Sequence, residues 1–464
     1  MVGIVAGLLL AGGAILLLLS LQPVGTAGGA APRLLTLTAC GVAALALPPA
    51  AGWWLWVAST CTQGVESPLV PGVSWNILGL LAFWGAMAGW VLRGCPRPTQ
   101  ATAERAIAWP SNPAGFLLLA LWLYLLVAAA QGLGLHRAEA TASLRQVLVL
   151  LPTVVVGVGW FAAQGQVGQR HLMRGMALMG GALGGLGVAE FVLRRDLLVP
   201  GVDTAGGMFR INGVAPNPIV YGLHLAWSLP FAFGMIASER RAAWRTTGLL
   251  CLAAILIAGF LTLNRQTWVV MAATSMGALV LLRGRWIAWM ALGGALAVLA
   301  AAPIVAPKVI ARFAIMADLH YDTSFKYRRD NFRVAANILE HHPVTGLGLG
   351  QYPHNWHRYL LPDLFYLQYE RPERAFYIDM GYMQVAAEAG LLGLGLLLLL
   401  HAAAATRLLA CWSRAPAPQR TWWAVLLLAL GVVLLSSLTQ DTLLRPRLWM
   451  AWSLACCYAA SAAP

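Results

Sequence analysis

Apolar residues in this chain do not alternate with polar ones. They come in long uninterrupted runs joined by short charged connections. The runs fall at about 2–21, 34–58, 73–93, 113–131, 146–164, 171–193, 217–237, 246–263, 266–282, 286–306, 380–405, 421–439 and 447–462. A helix needs about 20 apolar residues to cross the hydrocarbon core of a bilayer, where its backbone groups must be satisfied within the protein. The pattern predicts an all-α, polytopic transmembrane helical bundle of about 13 spans, or about 12 if one early run is re-entrant. Within 171–193, the pairs Gly180/Gly184 and Gly181/Gly185 have the small-xxx-small spacing that lets helices approach closely. Three regions result: an N-terminal transmembrane bundle over 1–306, one large polar loop over 307–378, and C-terminal transmembrane helices over 379–464.

Composition sharpens the class. Only 10% of the 464 residues are charged and 59% are hydrophobic, against roughly 25% charged in a soluble domain. The formal net charge of +14 would invite a nucleic-acid partner in a soluble protein. Here short cytoplasmic loops need Lys and Arg for orientation, so membrane lipids are expected as partners and nucleic acid is not. Arg93, Arg97 and Arg105 share one side with Arg170 and Arg174, with Arg240, Arg241 and Arg245, and with Arg283, Arg285, Arg407, Arg414 and Arg420. That side is assigned to the cytoplasm. The seven cysteines are scattered, without a CxxC pair, and read as packing residues. The chain starts on an apolar run with no Lys or Arg before Arg33, which reads as a retained helix.

Parity then puts the 194–216 loop, the Asn264–Gln266 turn and the long loop together on the opposite face. Arg210 lies where Gly213, Pro216 and Pro218 break the helix ahead of a span, and irregular backbone at membrane depth is tolerated only where protein or a watery cavity surrounds it. An arginine snorkelling to lipid phosphates is the plain alternative. Arg265 sits between two apolar runs with almost no polar loop around it. It needs an anionic partner or water, or serves as an interfacial anchor beside Trp268.

In the long loop, residues 326–340 predict an amphipathic helix, with Phe332, Ala335, Ala336 and Leu339 on one face. Lys326, Arg329 and Arg333 form a basic stripe beside it, which suits phosphate or simply solvent. Pro343 stops that helix and the glycines through Gly350 make a turn rather than a phosphate loop. His354 and His357 follow on a Trp- and Tyr-rich stretch suited to stacking on sugar rings. Asp379 stands at the mouth of the next span, as a helix-capping acid or as a carboxylate able to take a proton from a hydroxyl. Glu388, deeper in that span, suits a buried helix–helix hydrogen bond. Asp318, His320 and Asp322 alternate and would share a face if extended. A solvated loop is the simpler account, and no metal or other cofactor is expected.

These segments together resemble the O-antigen ligase and O-antigen polymerase superfamily. The resemblance rests on Arg210 with Asn212-Gly213 and Pro216-Asn217-Pro218, on Asn264-Arg265-Gln266, on Arg329 through His342-Pro-Val-Thr-Gly-Leu-Gly-Leu-Gly350, and on Glu388-Ala-Gly-Leu-Leu-Gly-Leu394. It covers about 210–395 in order; earlier residues match only as a hydrophobic bundle. It implies a GT-C-like membrane glycosyltransferase that takes glycan from an undecaprenyl-pyrophosphate donor at the periplasmic face of the bacterial inner membrane. The acceptor is a second glycan or lipid A-core. By position in the family's motifs, Arg210 and Arg265 match the arginines that engage pyrophosphate, with Arg329 as a third phosphate contact. Ligases of this family carry a His-Asn just ahead of the Glu-x-Gly-Leu-x-Gly stretch; here the residues are Asp379-Met380, which looks more like the polymerase branch. His354-Asn355 is the alternative acceptor-side pair. Two other classes fit a membrane bundle. A transporter of a lipid-linked saccharide predicts charges near the midplane and paired halves, and an envelope scaffold predicts that Arg210 and Arg265 are dispensable.

Overall fold

The computed structural model describes residues 37, 39–61, 74–93, 113–134, 137–198, 204–205, 208–215, 217–282, 323–364, 378, 380–440 and 446–460. The runs at 2–21 and 286–306 lie outside these residues, as do Asp379 and the Asp318, His320, Asp322 set. The helices are α1 (Pro49–Ser59), α2 (Trp75–Leu92), α3 (Pro113–Gly132), α4 (Arg137–Ala163), α5 (Gln166–Leu193), α6 (Pro218–Ser238), α7 (Ala242–Leu261), α8 (Arg265–Leu282), α9 (Thr323–His341), α10 (Tyr352–Asn355), α11 (Gly381–Arg414), α12 (Ala417–Ser437) and α13 (Pro446–Ala460). A two-residue antiparallel pairing of Thr204–Ala205 with Met208–Phe209 precedes Arg210.

Among the described residues, eight helices are long and apolar enough to cross a membrane, so this is an all-α polytopic membrane protein. They are α3, the Ala140–Ala163 part of α4, α5, α6, α7, α8, α11 and the Gln419–Ser437 part of α12. Helix α13 has 15 residues and α2 is likewise shorter than a full span. The run at 34–58 is not one helix. It breaks after the helical stretch 39–44, and Pro48, extended, caps a new start at Pro49. Proline at a first helical position sacrifices no hydrogen bond, which is why the restart falls there. The carbonyls freed at the break, Leu45 and Leu47, accept hydrogen bonds from the Arg93 guanidinium at the end of α2.

The described residues fall into two compact units. Those within Met1–Ala108 and Val149–Ala272 form the first; those within Trp109–Leu148 and Ala273–Ala459 form the second. In the first, α5, α6 and α7 pack on one another and α1 packs on α2. The glycine spacing on α5 works as predicted at three positions. Gly180 meets Ser228 of α6 and Ile255 of α7, while Gly181 and Gly184 meet Cys251 and Ala254. Among the described residues, nothing lies within 4 Å of where a Cβ at Gly185 would stand. Helix α6 is apolar all round and buried along nearly its whole length, as expected of a helix surrounded by others. In the second unit, α11 packs against α3, α9 and α12.

Candidate functional site

The first unit has two chemically different ends. At one, Arg174 near the start of α5 pairs with Glu239 through two hydrogen bonds of 2.6 and 2.8 Å and lies 4.4 Å over the Trp244 ring. Arg170, Arg240, Arg241 and Arg245 are exposed there. At the other end, the close of α5, the start of α6 and the α7–α8 turn come together around Arg210 and Arg265.

Arg210 is half-buried, and its Nε donates to the Thr262 carbonyl at 3.1 Å. That carbonyl ends α7, where the helix dipole favours a cation. Three residues on stands Arg265, at the first position of α8. Its turn is built by Asn264, whose Oδ1 accepts from Gln266 N at 3.2 Å and whose Nδ2 donates to Thr267 Oγ1 at 2.9 Å. Trp268 stacks on Phe260 with ring centroids 5.3 Å apart and donates to the Phe260 carbonyl at 3.1 Å, which straps the turn shut. Arg265 therefore adds its charge to the positive end of a helix, the arrangement that attracts phosphate oxygens. The segment after Arg210 is fixed as well. Ile211, Asn212 and Gly213 are buried, and Asn217 caps α6 by accepting from Val220 N at 2.8 Å.

In the second unit the two glycine-bearing motifs form one interlocked structure. Helix α11 breaks at Gly390, whose φ of 67° and ψ of −171° belong to no helix. A Cβ there would sit 2.1 Å from the Val344 carbonyl oxygen, so only glycine fits. The groups freed by the break find partners in the turn after α9. Leu391 N donates to the Pro343 carbonyl at 2.8 Å and Leu392 N to the Val344 carbonyl at 3.3 Å. In return, Leu347 N donates to the Ala387 carbonyl and Gly348 N to the Glu388 carbonyl, both at 2.9 Å. The Ala389 carbonyl accepts from the Tyr124 hydroxyl of α3 at 2.6 Å, and Leu349 N donates to the Ala128 carbonyl at 3.0 Å. Discontinuous backbone in a span survives only with such an accounting.

Glu388 is buried and makes a hydrogen bond from α11 to the backbone of a second helix, α10. Its carboxylate accepts from Tyr352 N at 3.2 Å and from Gln384 Nε2 at 3.4 Å, so it holds α10, the short helix carrying His354. The Tyr352 hydroxyl donates to Asn331 Oδ1 at 2.5 Å, and burial pushes its pKa well up, keeping that donor protonated. The face that α9 buries against protein is displaced from the apolar stripe of Phe332, Ala335, Ala336 and Leu339. Tyr327, Asn331, Val334, Ala335 and Ile338 are buried whereas Phe332 is 48% exposed. The reason is that this helix packs inward on Leu347, Tyr352 and Ala387, a set of neighbours that periodicity within 326–340 alone does not reveal.

Arg329 of α9 donates through Nε and NH2 to Asp330 Oδ1, at 3.0 and 2.9 Å, and its side chain is 54% exposed. Arg333 pairs with Asp363 at 2.6 Å. His354 is half-buried, and His342 Nε2 lies 2.6 Å from the Tyr359 hydroxyl. Among the described residues no group of three His, Cys, Asp or Glu has the spacing to hold a metal ion. Sequence reasoning missed Glu190, Tyr124 and the bracing role of Trp268, because each acts through contacts with backbone distant in sequence or around a turn.

The family model described as O-antigen ligase matches residues 226–398. No curated protein matches the chain. The matched stretch runs from within α6, through the Arg265 turn and the interlocked motifs, to beyond the break in α11; Arg265, Arg329, His354 and Asp379 lie inside it and Arg210 precedes it. Over that stretch the chain is similar to the O-antigen ligase family, and its bundle of long apolar helices accords with that likeness.

Proposed function

We propose that the protein is a membrane glycosyltransferase that takes glycan from an undecaprenyl-pyrophosphate donor at the periplasmic face of the inner membrane, and that it acts as a polymerase rather than as a lipid A-core or protein ligase. The observation that carries this reading is the Arg210 guanidinium seated on the α7–α8 turn that presents Arg265. An acceptor hydroxyl oxygen attacks the anomeric carbon of the donor's first sugar. The bond from that carbon to the phosphate oxygen breaks, and the polyprenyl pyrophosphate leaves with the electron pair. Charge grows on the leaving phosphate, so fixed guanidinium groups do most of the catalytic work. Arginine suits the task because its fork meets phosphate oxygens bidentately and stays charged.

Arg329 supplies a further phosphate contact in this scheme. Asp379 takes the hydroxyl proton, with His354 as the alternative base. The chemistry calls for no metal. The leaning to polymerase rests on Asp379-Met380 standing where ligases of the family carry His-Asn.

Arg210→Ala or Arg265→Ala is expected to cost about 3–4 kcal/mol in the barrier, two to three decades of rate. The measurement is transfer by purified protein from a synthetic polyprenyl-pyrophosphate glycan. Full activity in both variants would sink the reading. In cells, loss of a polymerase leaves single repeat units on the lipid carrier, whereas loss of a ligase leaves lipid-linked polymer. A deletion strain that accumulates the polymer would replace polymerase by ligase.

A further inference from the structure

Near the end of α5 lies a carboxylate that the proposed reaction does not use. Glu190 is 0% exposed. Its Oε2 accepts the N–H of Gly213 at 2.8 Å and its Oε1 accepts the N–H of Leu197 at 3.2 Å. One side chain thus ties down both ends of the stretch between α5 and α6, on either side of Arg210. Buried backbone N–H groups are costly to leave without an acceptor, so this side chain closes the accounting for the loop. Tyr221 completes it. Its ring lies against Gly213, which takes a left-handed φ of 58°, and its hydroxyl donates to the Leu183 carbonyl of α5.

We infer that Glu190 is a positioning residue: through these two backbone bonds it fixes the Arg210 segment, so that the guanidinium is held at the α7–α8 turn. It touches no substrate. For its effect on turnover this inference rests on the donor-binding reading of Arg210, whereas the fastening itself is independent of that reading.

The test uses the full-length protein in detergent and exploits the fact that trypsin cuts after arginine. Trypsin cleavage of the Arg210–Ile211 bond, followed by mass spectrometry, reports how often the segment opens. Glycan transfer is measured on the same samples. Glu190→Ala should speed that cleavage by about tenfold or more, since leaving two buried backbone N–H groups without their acceptor shifts a local opening equilibrium by about that factor. Transfer should fall in parallel, in kcat more than in KM. Glu190→Gln keeps one of the two acceptor oxygens and should restore both readouts only part of the way, a partial rescue that loss of a mere space-filler would not show. Where Glu190→Ala does not accumulate, Glu190→Asp, one methylene too short to reach both N–H groups, should give the same pattern. Unchanged cleavage in the Ala and Asp variants, or a Gln variant no better than Ala, overturns the inference. If the wild-type protein transfers no glycan while cleavage follows the expected pattern, the donor-binding reading falls and the fastening stands.

Discussion

The chain abandons regular helix at two of the motifs singled out in its sequence, and it satisfies the freed backbone in opposite ways. Around Arg210 the irregular segment is tied by a side chain: both Glu190 oxygens take backbone N–H groups from within the loop between α5 and α6. At Gly390 the break is closed mainly by backbone, with the turn after α9 exchanging N–H and carbonyl groups with α11. A side-chain tie can be weakened by degrees, because one acceptor can be changed while the chain path survives. A backbone exchange is all or nothing, because it requires two segments to approach within hydrogen-bond distance and so forbids a Cβ at the crossing. The first design suits a segment that presents a charged group, and the second suits a frame.

The contrast can be broken most severely at Gly390. Gly390→Val forces a β-branched residue into a positive-φ extended backbone that essentially only glycine adopts, which alone costs about 1–3 kcal/mol, and drives its Cβ into the Val344 carbonyl. Loss of a monodisperse peak in size-exclusion chromatography is expected. Gly213→Ala also bears a backbone cost, at φ 58°, but its Cβ meets the ring of Tyr221 rather than backbone. A folded protein with a lowered Tm is expected. Third, Glu388→Ala leaves the Tyr352 N–H buried without its acceptor, at a cost of about 1–3 kcal/mol in thermal or denaturant unfolding. Glu388→Gln should lose clearly less. Tyr124→Phe, which removes only the hydroxyl reaching the Ala389 carbonyl, should cost about 0.5–1.5 kcal/mol.

The smallest effect concerns the exposed Arg333–Asp363 pair. The hydrogen bond from Arg333 holds the Asp363 carboxyl below its ordinary value of 3.8. A depressed folded-state pKa means that the pair's stabilisation is complete above that ordinary value and disappears as pH falls through the lower one. The Tm difference between wild type and Asp363→Asn should therefore be slight near neutral pH and vanish in acid. A difference that grew with acidity would contradict the pairing.

Much of the fold is legible in the sequence because spanning a membrane constrains composition over whole runs of residues. Runs of apolar residues located the eight spans among the described residues. Where one run failed, at 34–58, the new helix starts at the Pro48-Pro49 pair, two residues that composition averages away. The spacing of Gly180, Gly181 and Gly184 anticipated close packing, since that geometry repeats along one helix. Which residues α9 buries against protein was not legible, because its packing partners come from Leu347, Tyr352 and Ala387, outside the helix itself. Glu388 was expected in a buried helix–helix hydrogen bond, and which helix it would meet, α10, was not legible for the same reason.

The sequence by itself determined the class of molecule, the spans, and the short irregular segments in which Arg210, Arg265 and the glycine motifs stand. Those features are local: they depend on hydrophobic runs, helix-breaking residues and charge within a few turns of chain. Only the tertiary structure decided that Arg210 reaches the turn before Arg265, that Glu190 fastens it, and that two motifs about forty residues apart are halves of one backbone interlock. Hydrogen bonds between distant segments leave no periodic mark on a sequence, so which donor meets which acceptor is set by the packing of the helices that carry them.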